Sequence, residues 1–297
     1  MKRSALRSLL ALMLAAVMLS AQAALAENLY DAAFPDKASR SIDLGDTVVE
    51  DWEAFYAFLD QRPDVTKVDM FATVVGRKRI EELAQRYPQI EFGWTMEMGD
   101  HIVRTDAVAF STLHYSADPS HQTREIALLR FCKNLRALDI GHNAVDDLSF
   151  LYELPELRVL IVACNHVEDI TPIGSLKHLE YLEMFSNFVT DLSPLVDLPY
   201  LVHLNIGYND ISDLTPLHQM PQLKRLWMKK CHSRQKAPDL SQEVIDQLQA
   251  ALGDCVIDTY HNPSEGGWRE CVEFDTFHEY FRTGEYRPFP TSPEENW

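Results

Sequence analysis

"LVHLNIGYNDISDLTPLHQM", residues Leu201 to Met220, is one unit of a pattern that returns every 22 residues. Laid in register, the chain reads "LRALDIGHNAVDDLSFLYELPE", "LRVLIVACNHVEDITPIGSLKH", "LEYLEMFSNFVTDLSPLVDLPY", "LVHLNIGYNDISDLTPLHQMPQ" and then "LKRLWMKKC", with starts at Leu135, Leu157, Leu179, Leu201 and Leu223. Leu138, Leu160, Leu182, Leu204 and Leu226, with Ile140, Val162, Met184, Ile206 and Met228 two places on, alternate as one face of a short strand does. They are expected to point inward, so that the strands stack about 4.8 Å apart as a parallel sheet over one continuous core.

Asn143, Asn165, Asn187 and Asn209 fall where the chain leaves each strand, and Cys231 takes that place in the fifth copy. A buried Asn there can bond backbone groups of its own coil and the next, which makes the column a structural ladder. The second half of each copy places Ser or Thr before Pro172, Pro194 and Pro216, a helix-start pattern. With about ten residues left for the return, a 3₁₀ turn fits and a full helix does not. The period and the LxxLxLxxN core predict a leucine-rich-repeat solenoid of α/β class: short parallel strands on the concave face, 3₁₀ turns opposite and α/β capping repeats at both ends.

These repeats resemble the 22-residue class found in internalins and in the phosphatase-regulator leucine-rich-repeat proteins. Internalins are bacterial surface or secreted proteins that bind receptors on the concave sheet, so the resemblance implies recognition of a protein without catalysis. "RYPQIEFGWTMEMGDHIVRTDAVAFSTLHY", "DLSFLY", "YLEMFSNFVTDLSPL", "RLWMKK" and the late "GGWRE" are similar to a group of exported bacterial leucine-rich-repeat proteins.

The expected organisation has four parts. Residues 1–26, "MKRSALRSLLALMLAAVMLSAQAALA", carry Lys2, Arg3 and Arg7, an apolar run and an Ala24-Leu25-Ala26 triplet, the order of a secretory signal peptide. An uncleaved anchor is the competing expectation, because Ser8 to Ala26 approaches the ~20 residues needed to span a bilayer. Residues 27–132 alternate short strands (Ile42–Leu44, Val65–Met70, Ile90–Trp94) with helices near Val49–Asp60 and Arg77–Arg86, followed by a hairpin around Gly99-Asp100. Residues 133–236 hold the five repeats. Residues 237–297 are expected to form a helix opened by Ser241, a strand, a last helix near Val272–Phe281 closing the far end, and an irregular tail from Tyr286. The predicted location is secreted or extracytoplasmic, with a mature form that does not span the membrane.

Cleavage would remove three of the 27 Lys and Arg and none of the 45 Asp and Glu, leaving 24 against 45, a net −21. Nucleic acid is therefore excluded as a partner of the whole surface. Residues between the core positions face the concave side, and Val159, Ile161, Tyr181, Phe185, His203, Tyr208, Arg225, Trp227, Lys229 and Lys230 make it apolar and aromatic at one end of a basic stretch. That stretch, Pro221 to Pro238, holds Lys224, Arg225, Lys229, Lys230, Arg234 and Lys236 and no acid. The expected ligand is a protein, a peptide or an anionic glycan held by aromatic contact and charge. The competing expectation is that flanking segments fold over these side chains as core, and that the basic residues form a solvated face.

His142 and Cys164 share a column, with His166 nearby, which raises a metal site or a hydrolase nucleophile; neither has the further ligands or the orienting acid such chemistry needs. No cofactor and no catalysis are expected. Of five cysteines, Cys132 reads as core, and Cys255 with Cys271 is the only pair considered for a disulfide. The alternative to a ligand-binding module is an envelope structural or assembly protein that uses its edges or its convex side.

Overall fold

Leu138, Leu160, Leu182, Leu204 and Leu226 are all completely buried and sit at the centres of five consecutive three-residue strands. In this computed structural model, which describes residues 34, 38–99, 101–112, 121–232 and 240–284, the chain forms two compact units, up to Glu97 and from Met98 onward. The expected signal peptide, the tail from Tyr286, Asp100 of the expected hairpin, and Arg234 and Lys236 lie outside the described residues.

The first unit contains the parallel strands β1 (Ser41–Asp43), β2 (Lys67–Val75) and β3 (Glu91–Met98) and the helices α1 (Trp52–Asp60) and α2 (Arg77–Arg86). Asp51 caps α1 by accepting the Ala54 amide, and Phe55, Tyr56 and Leu59 face the core as their spacing requires.

The second unit is the solenoid. After β4 (His101–Arg104) come β5 (Ala109–Ser111), the one-turn α3 (Thr123–Ile126), then β6 (Ala137–Asp139), β7 (Val159–Ile161), β8 (Tyr181–Glu183), β9 (His203–Asn205), β10 (Arg225–Trp227), α4 (Gln242–Leu252), β11 (Val256–Asp258) and α5 (Val272–Thr283). β5 to β11 form a seven-stranded parallel sheet in sequence order, and the register of β6 to β10 advances by 22 residues per strand. 3₁₀ turns carry the return on the opposite side, at Ser149–Glu153, Thr171–Ser175, Ser193–Leu195 and Thr215–Gln219. Their capping differs from the expected one. The acceptors are Asp147, Asp169, Asp191 and Asp213, each bonded to the backbone amide of the Ser or Thr two residues on, at 2.7–2.9 Å. This is an Asx turn, and the Ser or Thr is the capped residue rather than the cap.

The asparagine column is a hydrogen-bonded ladder. Asn187 accepts the Val167 amide and donates to the carbonyls of Val162, Met184 and Phe185; Asn165 and Asn209 repeat the arrangement. Cys231 ends it, because a thiol cannot replace both amide functions, and the Ile211 amide turns to the Cys231 carbonyl instead. Just before each ladder residue the chain passes through a left-handed conformation, at His142, Cys164, Ser186, Tyr208 and Lys230 (φ 51–57°). Each costs about 1–2 kcal/mol for a non-glycine residue, a strain the ladder holds in place. Replacing Asn187 with Ala orphans one buried amide and removes one of two donors from each of three carbonyls. The expected loss is about 2–4 kcal/mol in a urea titration, against under about 0.5 kcal/mol for the exposed Glu168→Ala.

Candidate functional site

The concave sheet is occupied by the chain itself. The segment from Asn262 to Glu270 crosses the strands and continues into α5, and together they cover the face expected to receive a ligand. Trp268 is fully buried, 5.1 Å from the Tyr181 ring and 5.4 Å from Trp227, while Phe277 stands edge-on to Tyr181 at 4.7 Å. Val159, Ile161, Tyr181, Phe185 and Trp227 are therefore core, packed with Ala109, Ala137, Ala163, Phe277 and Tyr280. The expectation that they form an open binding patch is corrected. So is the expectation that the last helix closes the end of the solenoid: α5 lies against β5 and β6, where the small side chains of Ala109 and Ala137 leave room for it.

Polar groups fix this strap in register. Asn205 donates to the Pro263 carbonyl at 2.9 Å, and Gly207 leaves the space that Pro263 enters; a Cβ there would lie 3.3 Å from its ring. Arg225 donates to the Gly267 and Trp268 carbonyls and lies over both indole rings, 5.1 Å from Trp227 and 4.9 Å from Trp268. The Trp227 indole N–H reaches the Glu265 carbonyl. At the centre, fully buried Glu183 accepts from the Tyr181 hydroxyl (2.9 Å), the Trp268 indole (2.8 Å) and Arg269 (2.8 Å). Burial, reinforced by Glu183, raises the Tyr181 hydroxyl well above its ordinary pKa. His203 is 3.5 Å from Glu273 of α5, and burial pulls it below its ordinary value against that carboxylate's opposing effect.

Asp139 shares the strand column of Glu183. It is buried, accepts from Gly141 N–H and Ser111 Oγ, and is pushed up to about 7, chiefly by burial and further by Glu183. Asp139 and Glu183 lie outside the expected site residues; the signal for them is the presence of acids where the column otherwise carries apolar or amide side chains, with Trp268-Arg269 downstream.

Of the expected site residues, Tyr208, Arg225, Lys229 and Lys230 remain partly exposed, Arg225 with its guanidinium bonded to the strap. Asn262 Oδ1 accepts from both Tyr208 Oη (3.1 Å) and Lys229 Nζ (3.0 Å), and Lys229 lies 5.8 Å from the ring centre of Tyr260, which is 79% exposed. Sequence reasoning missed Tyr260 because it falls after β11, outside the 22-residue register. His142 is exposed and Cys164 half-buried at the same edge, and among the described residues no three His, Cys, Asp or Glu side chains converge as metal ligands. All five cysteines are free thiols; burial pushes Cys132 and Cys231 up to about 12.

The repeats whose geometry is described above match the family described as leucine-rich repeats (2 copies) over residues 155–197, and a second leucine-rich-repeat family over residues 131–148 and 197–214. The chain is a leucine-rich-repeat solenoid. No curated protein matches it in sequence. Among solved structures, it is similar to internalin C2 of Listeria monocytogenes (21% identity, 63% of this chain and 78% of that one, TM-score 0.38). An internalin F from the same organism shares 19% identity over 69% of this chain and 70% of that one (TM-score 0.36). A leucine-rich-repeat protein of Leptospira interrogans shares 20% over 67% and 50% (TM-score 0.43). Among the described residues no helix is long and apolar enough to cross a membrane.

The folded state keeps the Asp139 proton up to about pH 7, whereas an unfolded chain releases it near the ordinary 3.8. The contribution of this group to stability is therefore greatest in acid and is lost as pH rises through that window, by up to about 1.4 kcal/mol per pH unit. Asp139→Asn is expected to remove this slope. Urea midpoints of both forms between pH 4 and 8 would show the variant gaining relative to the parent as pH rises; parallel curves would rule out a buried proton at Asp139.

Proposed function

We propose that the protein is an exported bacterial interaction module without catalytic activity, and that its ligand surface is the exposed rim of the concave sheet rather than its centre. The observation that carries this reading is the group Tyr208, Lys229, Lys230 and Tyr260: two aromatic rings and two ammonium groups, accessible at one end of an otherwise acidic chain. Aromatic faces beside cations suit an acidic peptide, a protein loop or an anionic glycan. The leader-like opening sequence supports export. Val159, Ile161, Tyr181, Phe185, His203, Arg225 and Trp227 would contribute indirectly, by seating the strap whose Asn262 holds Tyr208 and Lys229.

A second reading has its own support. A concave face closed by its own chain leaves the edges and convex side as the large free surfaces, which suits an envelope structural or assembly component.

Lys229→Glu/Lys230→Glu and, separately, Tyr260→Ala separate the two. On the first reading, each variant binds a fluorescent acidic decapeptide or a sulfated oligosaccharide at least tenfold more weakly in anisotropy titrations, with unfolding midpoints close to the parent's. Equal affinity for all forms, or no affinity for either probe, would move the assignment to the assembly reading.

A further inference from the structure

Among the described residues, the last coil of the solenoid is left open. β11 is the final strand of the seven-stranded sheet, and no strand among the described residues lies beyond it. The Val256 amide bonds Lys224 O and the Met228 amide bonds Asp258 O, so residues 256 and 258 turn their backbone groups toward β10. By the alternation of a strand, the N–H and C=O of Ile257 point the other way, with no partner among the described residues. The Cys255 carbonyl is already taken by Gln249. Side chains agree with this: the core column is fully buried at Leu138, Leu160, Leu182, Leu204 and Leu226, yet Ile257 in the same column is partly exposed, and Val256 is 56% exposed. β11 carries neither Lys nor Pro and no bulge, the usual devices that stop an edge from pairing.

We infer that the free edge of β11 is a docking site for an extended, cationic segment of a partner protein, which adds as an eighth strand. Backbone pairing with Ile257 supplies the register, and apolar side chains of the incoming strand cover Val256 and Tyr260. Charge selects the occupant. From Ser241 to His261 the terminal coil holds Glu243, Asp246, Asp254 and Asp258 and no Lys or Arg. Asp258 is engaged by His261 at 2.6 Å and by the Tyr260 and His261 amides, while Glu243, Asp246 and Asp254 are exposed. A second copy joined edge to edge would set four acids against four, whereas a strand flanked by Lys or Arg meets opposite charge at both ends. This inference develops the assembly reading; it shares Tyr260 with the rim but not the rim's basic residues, which lie one coil back.

The test uses the full chain and three blocked heptapeptides: Lys-Thr-Val-Thr-Val-Thr-Lys, the same core flanked by Glu, and the Lys form N-methylated at its three central residues so that neither edge can pair. The Lys peptide, titrated to millimolar, is expected to slow hydrogen exchange of the Ile257 amide at least tenfold. The Glu and N-methylated peptides should bind at least tenfold more weakly, and Asp254→Lys should weaken the Lys peptide at least fivefold. Lys229→Glu/Lys230→Glu should not weaken it, which separates this proposal from the rim. Unchanged Ile257 exchange, or equal binding of the N-methylated peptide, overturns the inference. So would protection of Ile257 in the protein alone, rising with its concentration, since that assigns the edge to a second copy.

Discussion

Glu183 is buried at the centre of the parallel sheet, and two of its three donors come from a segment 85 residues downstream. Burying an ion costs several kcal/mol unless its hydrogen bonds are met, and removing a partner leaves that cost uncompensated. The repeats alone offer only the Tyr181 hydroxyl. Trp268 and Arg269 are thus a requirement of the sheet as much as an addition to it, and they arrive with the indole, phenyl and phenol rings that fill the remaining concavity. The same arrangement accounts for Asp139, which sits under the strap without a cation of its own and keeps its proton instead.

A solenoid normally separates its work between surfaces: core residues hold the stack, and the concave strand positions stay free for partners. Here the concave centre has become a second core. Phe277, Tyr280 and Trp268 meet Tyr181, Trp227 and Val159 as interior residues do. What stays accessible is displaced to the margins, where Tyr208 and the lysines share a rim with Asn262 and where β11 ends the sheet.

The repeating part of this architecture was legible in the sequence because each position is tested five times over. Leu160 or Asn187 alone says little, but the same residue type every 22 positions admits one geometry. The closing of the concave face was not legible for the opposite reason. Trp268, Phe277 and Tyr280 occur once, and an apolar helix face states that it needs a partner without stating which surface supplies it. The clue was electrostatic rather than periodic: acids at Asp139 and Glu183 in outward columns call for buried donors, and the sequence places Trp268-Arg269 within reach only once the chain has folded back. Cys231 gives the reverse lesson. Its place in the column was readable, but the switch of the Ile211 amide to a backbone carbonyl depended on atoms that no pattern encodes.

Leucine-rich solenoids grow and shrink by whole repeats, since each coil touches only its neighbours. The strap forbids this. Its contacts fall at Asn205 on β9, Arg225 and Trp227 on β10, Glu183 and Tyr181 on β8, and then β5 and β6 beneath α5. A duplicated or deleted coil among these would shift every later anchor by one strand spacing, about 4.8 Å, and part Trp268 from its carboxylate. The strap acts as a ruler laid across the sheet, and it turns an extensible array into a molecule of fixed count, in which recombination between repeats is penalised at once by the loss of the concave core.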